Sequence, residues 1–290
     1  MLILSLIRLL FYISNSMAIW NNIKKKLRND NNSLYEVVML ANKDGSIQGS
    51  SNLNIPIAAG KIEGYKHVNK FGFNDTVGTS FEPIYVGSEN FTYPTNAGPV
   101  SVVSDSSNDS ETGSGARTVN LEGLDANYDT ITETITLDGI NPAVSNGSFI
   151  RLFRMRVETA GSSSSAEGVI TATVGGLDLA VLDPTYDNQT LQATFTVPAG
   201  KKAYLIRMQA TSTKDNKAAM VGLFTRSNAP DSVFTVKQLV EVFRNSVVVQ
   251  FPVPLEFPEK TDIELRGKNL GSGQVSVGGT FDIVLVDDPA

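Results

Sequence analysis

An all-β fold, an antiparallel β-sandwich or barrel, follows from three features of this 290-residue sequence. Period-2 alternation recurs along it: Leu191, Ala193, Phe195 and Val197 alternate with Gln192, Thr194 and Thr196, the signature of a strand with one dry face and one wet one. The alternating segments are short and bounded by Gly, Asn, Asp or Pro, which fits a sandwich or barrel and not βαβ units. Finally, Phe251, Val253, Leu255 and Phe257 alternate with Pro252, Pro254, Glu256 and Pro258. Proline removes ladder donors, so this run belongs at a sheet edge or between sheets, and at an edge it blunts uncontrolled strand addition.

In chain order, residues 1–16 are apolar except for Ser5, Arg8 and the Ser14-Asn15-Ser16 end. The run is shorter than the roughly 20 residues of a membrane-crossing helix. It reads either as a stretch ahead of a start at Met17 or as a signal-like segment. From Ala18 the apolar spacing becomes helical: Ile19, Ile23 and Leu27 fall four apart among Lys24, Lys25, Lys26 and Arg28. The spacing predicts a short amphipathic helix. A linker at Asn29–Asn32, a strand at Leu34–Leu40 and a polar, glycine-containing stretch at Asn42–Asn54 complete an N-terminal helix and anchoring arm over residues 17–60.

Residues 61–290 read as the β-sandwich body, either a single sandwich or two packed sandwich halves. Its expected strands are Tyr65–Phe73, Phe81–Val86, Arg117–Glu122, Thr130–Leu137, Phe149–Glu158, Val169–Val174 and Leu177–Leu182. In the fifth of these, Phe149, Phe153, Met155 and Val157 share one face, opposite Arg154, Arg156 and Glu158. Gln189–Met208 reads as a β-hairpin turning at Pro198-Ala199-Gly200. Further strands follow at Ala218–Thr225, Val233–Phe243, Val247–Val253, Thr261–Arg266 and Phe281–Val286, with a helical turn as the other reading of Val236–Phe243. Asp105–Gly115, rich in Ser, Asn, Asp and Gly, reads as a mobile surface loop.

Composition narrows the function classes. Hydrophobic residues make up 41% and charged residues 19%, as in an ordinary globular domain. The absence of Cys removes disulfides, thiolate catalysis and Cys-based zinc sites. Of the net charge of -6, residues 1–32 contribute +4, leaving -10 on the remainder. An acidic body lacks the clustered Lys and Arg that nucleic-acid binding requires.

Chemical motifs are sparse. His67 is the sole histidine, so a centre built on several histidines is excluded and a Ser-His-Asp triad would have to use this residue. Asp125, Asp129 and Glu133 could in principle serve a two-carboxylate hydrolase. The plainer reading is a turn at Asp125-Ala126-Asn127 with Glu133 on a wet strand face. Asp105, Asn108, Asp109 and Glu111 offer oxygen ligands without EF-hand spacing. Sequons occur at Asn74, Asn90, Asn108, Asn146 and Asn188. No catalytic, cofactor-binding or metal-ligating residue is assigned.

The run TGSGARTVNLEGLDANYDTITETITLDG (Thr112–Gly139) resembles a segment of virion structural proteins of tailed phages, notably marine ones. Phe149–Arg156, Val197-Pro-Ala-Gly-Lys-Lys-Ala-Tyr-Leu, Thr261–Arg266 and Phe281–Asp288 extend the resemblance from about Gly60 to the C-terminus. It implies a non-enzymatic, homo-oligomeric virion component with a jelly-roll-like antiparallel β-sandwich, a capsid-associated decoration, vertex or fibre-type protein. The N-terminal arm would anchor it to other virion proteins, with no cofactor and no stable membrane span. The alternative readings are a carbohydrate- or receptor-binding module on a virion or cell surface and a two-carboxylate polysaccharide hydrolase.

Overall fold

The alternating segments form strands, and every strand pair is antiparallel. The computed structural model describes residues 23–28, 34–39, 54–87, 91–212 and 218–288. Residues 1–16, the first half of the expected amphipathic helix and Asn90 lie outside the described residues. The chain divides into two units at Glu63/Gly64.

In the first unit, β1 (Ile23–Arg28) pairs with β2 (Leu34–Met39), Ile23 opposite Met39 and Arg28 opposite Leu34. A five-residue helix, α1, spans Asn54–Ala58. The expected helix is therefore extended over its second half. A lone helix shorter than about 12 residues is marginal in water. The Leu-Tyr-Glu-Val-Val-Met segment offers Ile23–Arg28 a complete row of ladder partners instead.

The second unit begins with β3 (Tyr65–Val77) and the two-residue β4 (Glu82–Pro83). Seven strands follow: β5 (Gly98–Ser104), β6 (Ala116–Leu124), β7 (Thr130–Thr136), β8 (Ala143–Phe149), β9 (Arg151–Ala160), β10 (Ile170–Val174) and β11 (Leu177–Leu182). Then come β12 (Thr194–Thr196), β13 (Lys201–Ser212), β14 (Ala218–Arg226), β15 (Thr235–Phe243), β16 (Ser246–Phe257), β17 (Asp262–Asn269) and β18 (Val275–Asp287).

Two sandwiches result, one nested in the other. The larger faces sheet β16-β13-β18-β3 against sheet β12-β17-β14-β15, with β4 added to β17. In chain order its eight main strands fall in the first, second, first, second, second, first, second and first sheet, which is a jelly-roll winding. Leu205, Met208, Val221, Leu223, Leu265 and Phe281 fill its core, all fully buried. The smaller sandwich, β11-β10-β5-β8 against β7-β6-β9, is inserted between β4 and β12. It has its own core of Val102, Leu121, Phe149, Met155, Ile170 and Leu182.

Gly72 lies where the chain enters and leaves the insertion. A Cβ there would stand 2.1 Å from the Ile84 carbonyl oxygen and 2.5 Å from Ala193 N, so only glycine lets these backbones pass so closely.

Two strand readings are corrected, and a third is settled as the strand it was expected to be. The hairpin at Gln189–Met208 does not exist as a pair: β12 bonds to β17, whereas β13 bonds to β16 and β18. Pro198-Ala199-Gly200 instead carries the chain from one sheet to the other, with Gly200 at φ +65°. Alternation identifies a strand, but the partner is settled by which faces meet across the core. Phe153 does not share a face with Met155. A bulge opposite Glu122/Gly123 turns it out of the insertion's core to stack on Phe195 of the jelly roll, centroids 4.5 Å apart. Val236–Phe243 is a strand and not a helical turn. The proline-rich run, as expected, is the sheet edge β16.

Candidate functional site

His67, Asp125 and Glu133, singled out in the sequence, each have local hydrogen-bond partners. His67, exposed on β3, has its Nε2 3.2 Å from Asp282 Oδ1, and Asn69 Nδ2 donates to the same oxygen at 2.7 Å. Asp125 closes a turn by accepting from Asn127 N at 2.8 Å and Asp129 N at 3.0 Å. Glu133 accepts from Asn146 N at 2.8 Å and Gly147 N at 2.9 Å, tying β7 to β8. Asp125 and Glu133 are thus each engaged as local acceptors, one within a turn and the other between β7 and β8.

The Asp105–Gly115 loop is organised, not loose, because Asp109 is fully buried beneath it. Its carboxylate accepts from Ser104 Oγ at 2.6 Å and from the backbone N–H groups of Ala116, Glu167 and Gly168 at 2.7, 2.9 and 2.9 Å. Exposed Glu167 accepts from Ser114, Ser163 and Asn108, which lowers its pKa. Among the described residues no group of three or more His, Asp or Glu side chains is placed to hold a metal.

Where the two sandwiches meet, the structure brings together residues that sequence reasoning did not connect. Asp262, Glu264, Arg266 and Lys268 alternate along β17 on the face away from the core, and Asp262 and Glu264 are 2% and 0% exposed. Asp262 receives Arg151 of the insertion (Nε at 2.9 Å, Nη2 at 3.2 Å), Arg226 of β14 (Nε at 3.1 Å) and the Thr196 hydroxyl at 2.6 Å. Glu264 receives Arg266 and the Tyr93 hydroxyl, the latter at 2.9 Å.

The guanidinium groups alternate with rings. Arg151 lies between Tyr128 (5.5 Å) and Tyr93 (4.8 Å), Arg226 between Tyr93 and Phe234 (4.7 Å each), and Arg266 between Phe234 (4.4 Å) and Phe224 (5.0 Å). Burial pushes the Tyr93 phenol well up, assisted by the charges of Glu264 and Asp262, and desolvation also raises Glu264 against the pull of Arg266. Desolvated cation–π contacts contribute about 2 kcal/mol each. The cluster thus clamps insertion to jelly roll, and its carboxylates are too enclosed to meet a polysaccharide.

A second tie at the same junction is Lys70, 3% exposed on the inner row of β3, whose ammonium donates to the Phe153 carbonyl. Desolvation, reinforced by Arg154 and opposed by Glu122, brings its pKa down to about 7. Between pH 7 and the ordinary lysine value of 10.5 the unfolded chain binds a proton that the folded chain lacks, so stability rises with pH across that window. The expected slope is at most about 1.4 kcal/mol per pH unit. Denaturant titrations at pH 7, 8 and 9 should show it in the wild type and not in Lys70→Met.

On the outer face of the β16-β13-β18-β3 sheet lies an open groove of about 400 Å³. Phe71 and Phe73 wall it, Gln209, Thr211 and Thr280 supply polar groups, and Gly278 leaves the floor bare. Arg154 and Tyr186 of the neighbouring segments lean on Phe71 (5.5 Å) and Phe73 (5.3 Å).

No protein-family model matches the chain, and no curated protein sequence does. Solved structures similar to it include several of infectious bursal disease virus. They include the Gt strain (9% identity, 79% of this chain and 78% of the matched chain, TM-score 0.19) and the Gx strain (9%, 76% and 70%, 0.23). A third is the T13 viral particle (10%, 78% and 74%, 0.20). At such scores the likeness carries no argument about this chain.

Proposed function

We propose that this chain is a non-enzymatic structural component of a virus particle, a tailed-phage decoration, vertex or fibre-type protein that joins other virion proteins through its N-terminal arm. The observation that carries this reading is the jelly roll with a second sandwich inserted between its first two strands. Jelly rolls recur in viral capsid proteins, lectins and cupins, so the fold alone is an analogy. The residues narrow it. His67 alone cannot supply a several-histidine metal centre, and the acids sit as turn, loop and clamp acceptors. The sequence resemblance over Thr112–Gly139 and Thr261–Arg266 points the same way and adds the phage origin.

A lectin-like role is the second reading, favoured by the Phe71/Phe73 groove with its polar Gln209 and Thr211. Glycan-array binding abolished by Phe73→Ala would establish it over a purely architectural role. Protein composition of density-gradient-purified particles tests the first. The chain is expected as a stoichiometric component retained through salt washes, and its absence from the particles would overturn the reading.

A further inference from the structure

We propose that Asn146 is a site of self-deamidation: the chain converts its own side-chain amide into a carboxylate, with Glu133 as the proton carrier and water as the co-reactant. The inference is independent of the particle reading. Asn146-Gly147 is the sole Asn-Gly pair in the sequence. Deamidation begins when the backbone nitrogen after an asparagine attacks the side-chain carbonyl carbon and closes a cyclic imide. Glycine leaves that nitrogen unshielded and lets the backbone turn toward the ring.

Regular strand pairing would hold such a pair extended, but here the ladder is interrupted. β5 and β8 pair on either side, Pro99 opposite Ser148 and Ser101 opposite Val144, so Ser145, Asn146 and Gly147 face Val100 alone. The surplus residues bulge out of the sheet, and Asn146 is exposed. Val100 N donates to Ser145 Oγ at 2.7 Å, and that hydroxyl donates to the Gly147 carbonyl at 2.6 Å, which fixes the bulge. Glu133 of β7 reaches it with both carboxylate oxygens. Oε2 accepts from Gly147 N, the attacking atom, at 2.9 Å. Oε1 accepts from Asn146 Nδ2, the departing atom, at 3.2 Å, and from Asn146 N at 2.8 Å. A carboxylate only accepts, so the amide nitrogen is the end that faces it. A Cβ on Gly147 would stand 2.6 Å from Ile131 Cδ1 and 3.1 Å from Glu133 Oε2, so glycine is what lets the carboxylate and the bulge come together.

One group therefore touches both the atom that must lose a proton and the atom that must gain one, the position of a general acid–base. The N–H hydrogen bond lies in the peptide plane, whereas the attack uses the electrons above that plane, so the carboxylate takes the proton without blocking the approach. Glu133 takes the Gly147 N–H proton as the bond from Gly147 N to Asn146 Cγ forms. The tetrahedral intermediate collapses with cleavage of Cγ–Nδ2, and the proton passes from Glu133 to Nδ2, which leaves as ammonia. Water then opens the imide at either carbonyl, giving aspartate or isoaspartate at position 146 and leaving Glu133 as it began. The product sets a second carboxylate against Glu133 where an amide donated before. β7 and β8 are edge strands of the insertion's two sheets, so like-charge repulsion loosens the tie between those sheets.

Peptide mass spectrometry on the full chain, held at mildly alkaline pH, tests the reaction. Aspartate and isoaspartate should accumulate at position 146 at least about tenfold faster in the folded chain than in the same chain unfolded in guanidinium chloride, where Glu133 no longer faces the pair. Glu133→Gln should slow conversion in the folded chain by about tenfold or more. Should that variant not fold, the comparison of folded with unfolded wild type decides. Conversion slower in the folded wild type than in the unfolded, no preference for position 146 over the other asparagines, or an undiminished rate in folded Glu133→Gln would overturn the proposal.

Discussion

Asp262→Ala is expected to cost about 3–5 kcal/mol of folding stability, the range for breaking a buried ion pair and leaving its partner unpaired. Asp262 is the acceptor on which Arg151, Arg226 and Thr196 converge. With it removed, the 8%-exposed Arg151 side chain keeps the carbonyls of Pro94 and Ile150 and the Tyr93 and Tyr128 rings but has no carboxylate to balance its charge. Arg226, 26% exposed, can turn toward water, so Arg226→Ala should be milder than Arg151→Ala. Total stabilities run to about 5–15 kcal/mol, so the Asp262 variant loses a large fraction. Urea denaturation should show it directly. The double replacement Arg151→Met with Asp262→Leu should cost less than either single truncation, because no buried charge is then stranded. Equal or additive losses would mean that the pair does not act as a unit.

Asp109→Ala should be nearly as damaging, by about 3–5 kcal/mol, but locally. It orphans the N–H groups of Ala116, Glu167 and Gly168 and the Ser104 hydroxyl, each buried donor without a partner costing about 1–3 kcal/mol before relaxation. All four donors lie in or beside the insertion, so its sheets should lose hydrogen-exchange protection before those of the jelly roll. Asp109→Asn keeps an acceptor and should fall between. Uniform loss of protection across both sandwiches would show that they unfold as one body.

Much of the strand content was legible because a half-buried strand writes its two faces into alternate residues, as Ile170–Val174 and Val275–Asp287 do. Three strands were not: β1, whose four-residue apolar spacing reads as a helix, β8 and β5. β8 contains Ser-Asn-Gly in its middle, and β5 opens on Gly-Pro; both read as turns by composition. Pairing was less visible than existence. The period of two around Pro198-Ala199-Gly200 is the same whether the arms lie side by side or face each other, and only the tertiary core separates these. The single residue inserted at Phe153 breaks the alternation without changing composition. Nor could the clamp be read in advance: the charged row of β17 resembles a solvated face, and the rings that cover it come from Tyr93, Tyr128 and Phe234, distant in sequence. Asp109 likewise looks like one more polar loop residue until its four donors, up to 59 positions away, are seen around it.

The assignment to a virus particle is tested most directly by electron cryomicroscopy of purified particles from the source of this sequence. The account predicts density on the particle into which the nested sandwiches of residues 64–288 fit at repeating positions, with the insertion clamped at Arg151 and Asp262. Particles whose every density feature is filled by other chains would contradict it.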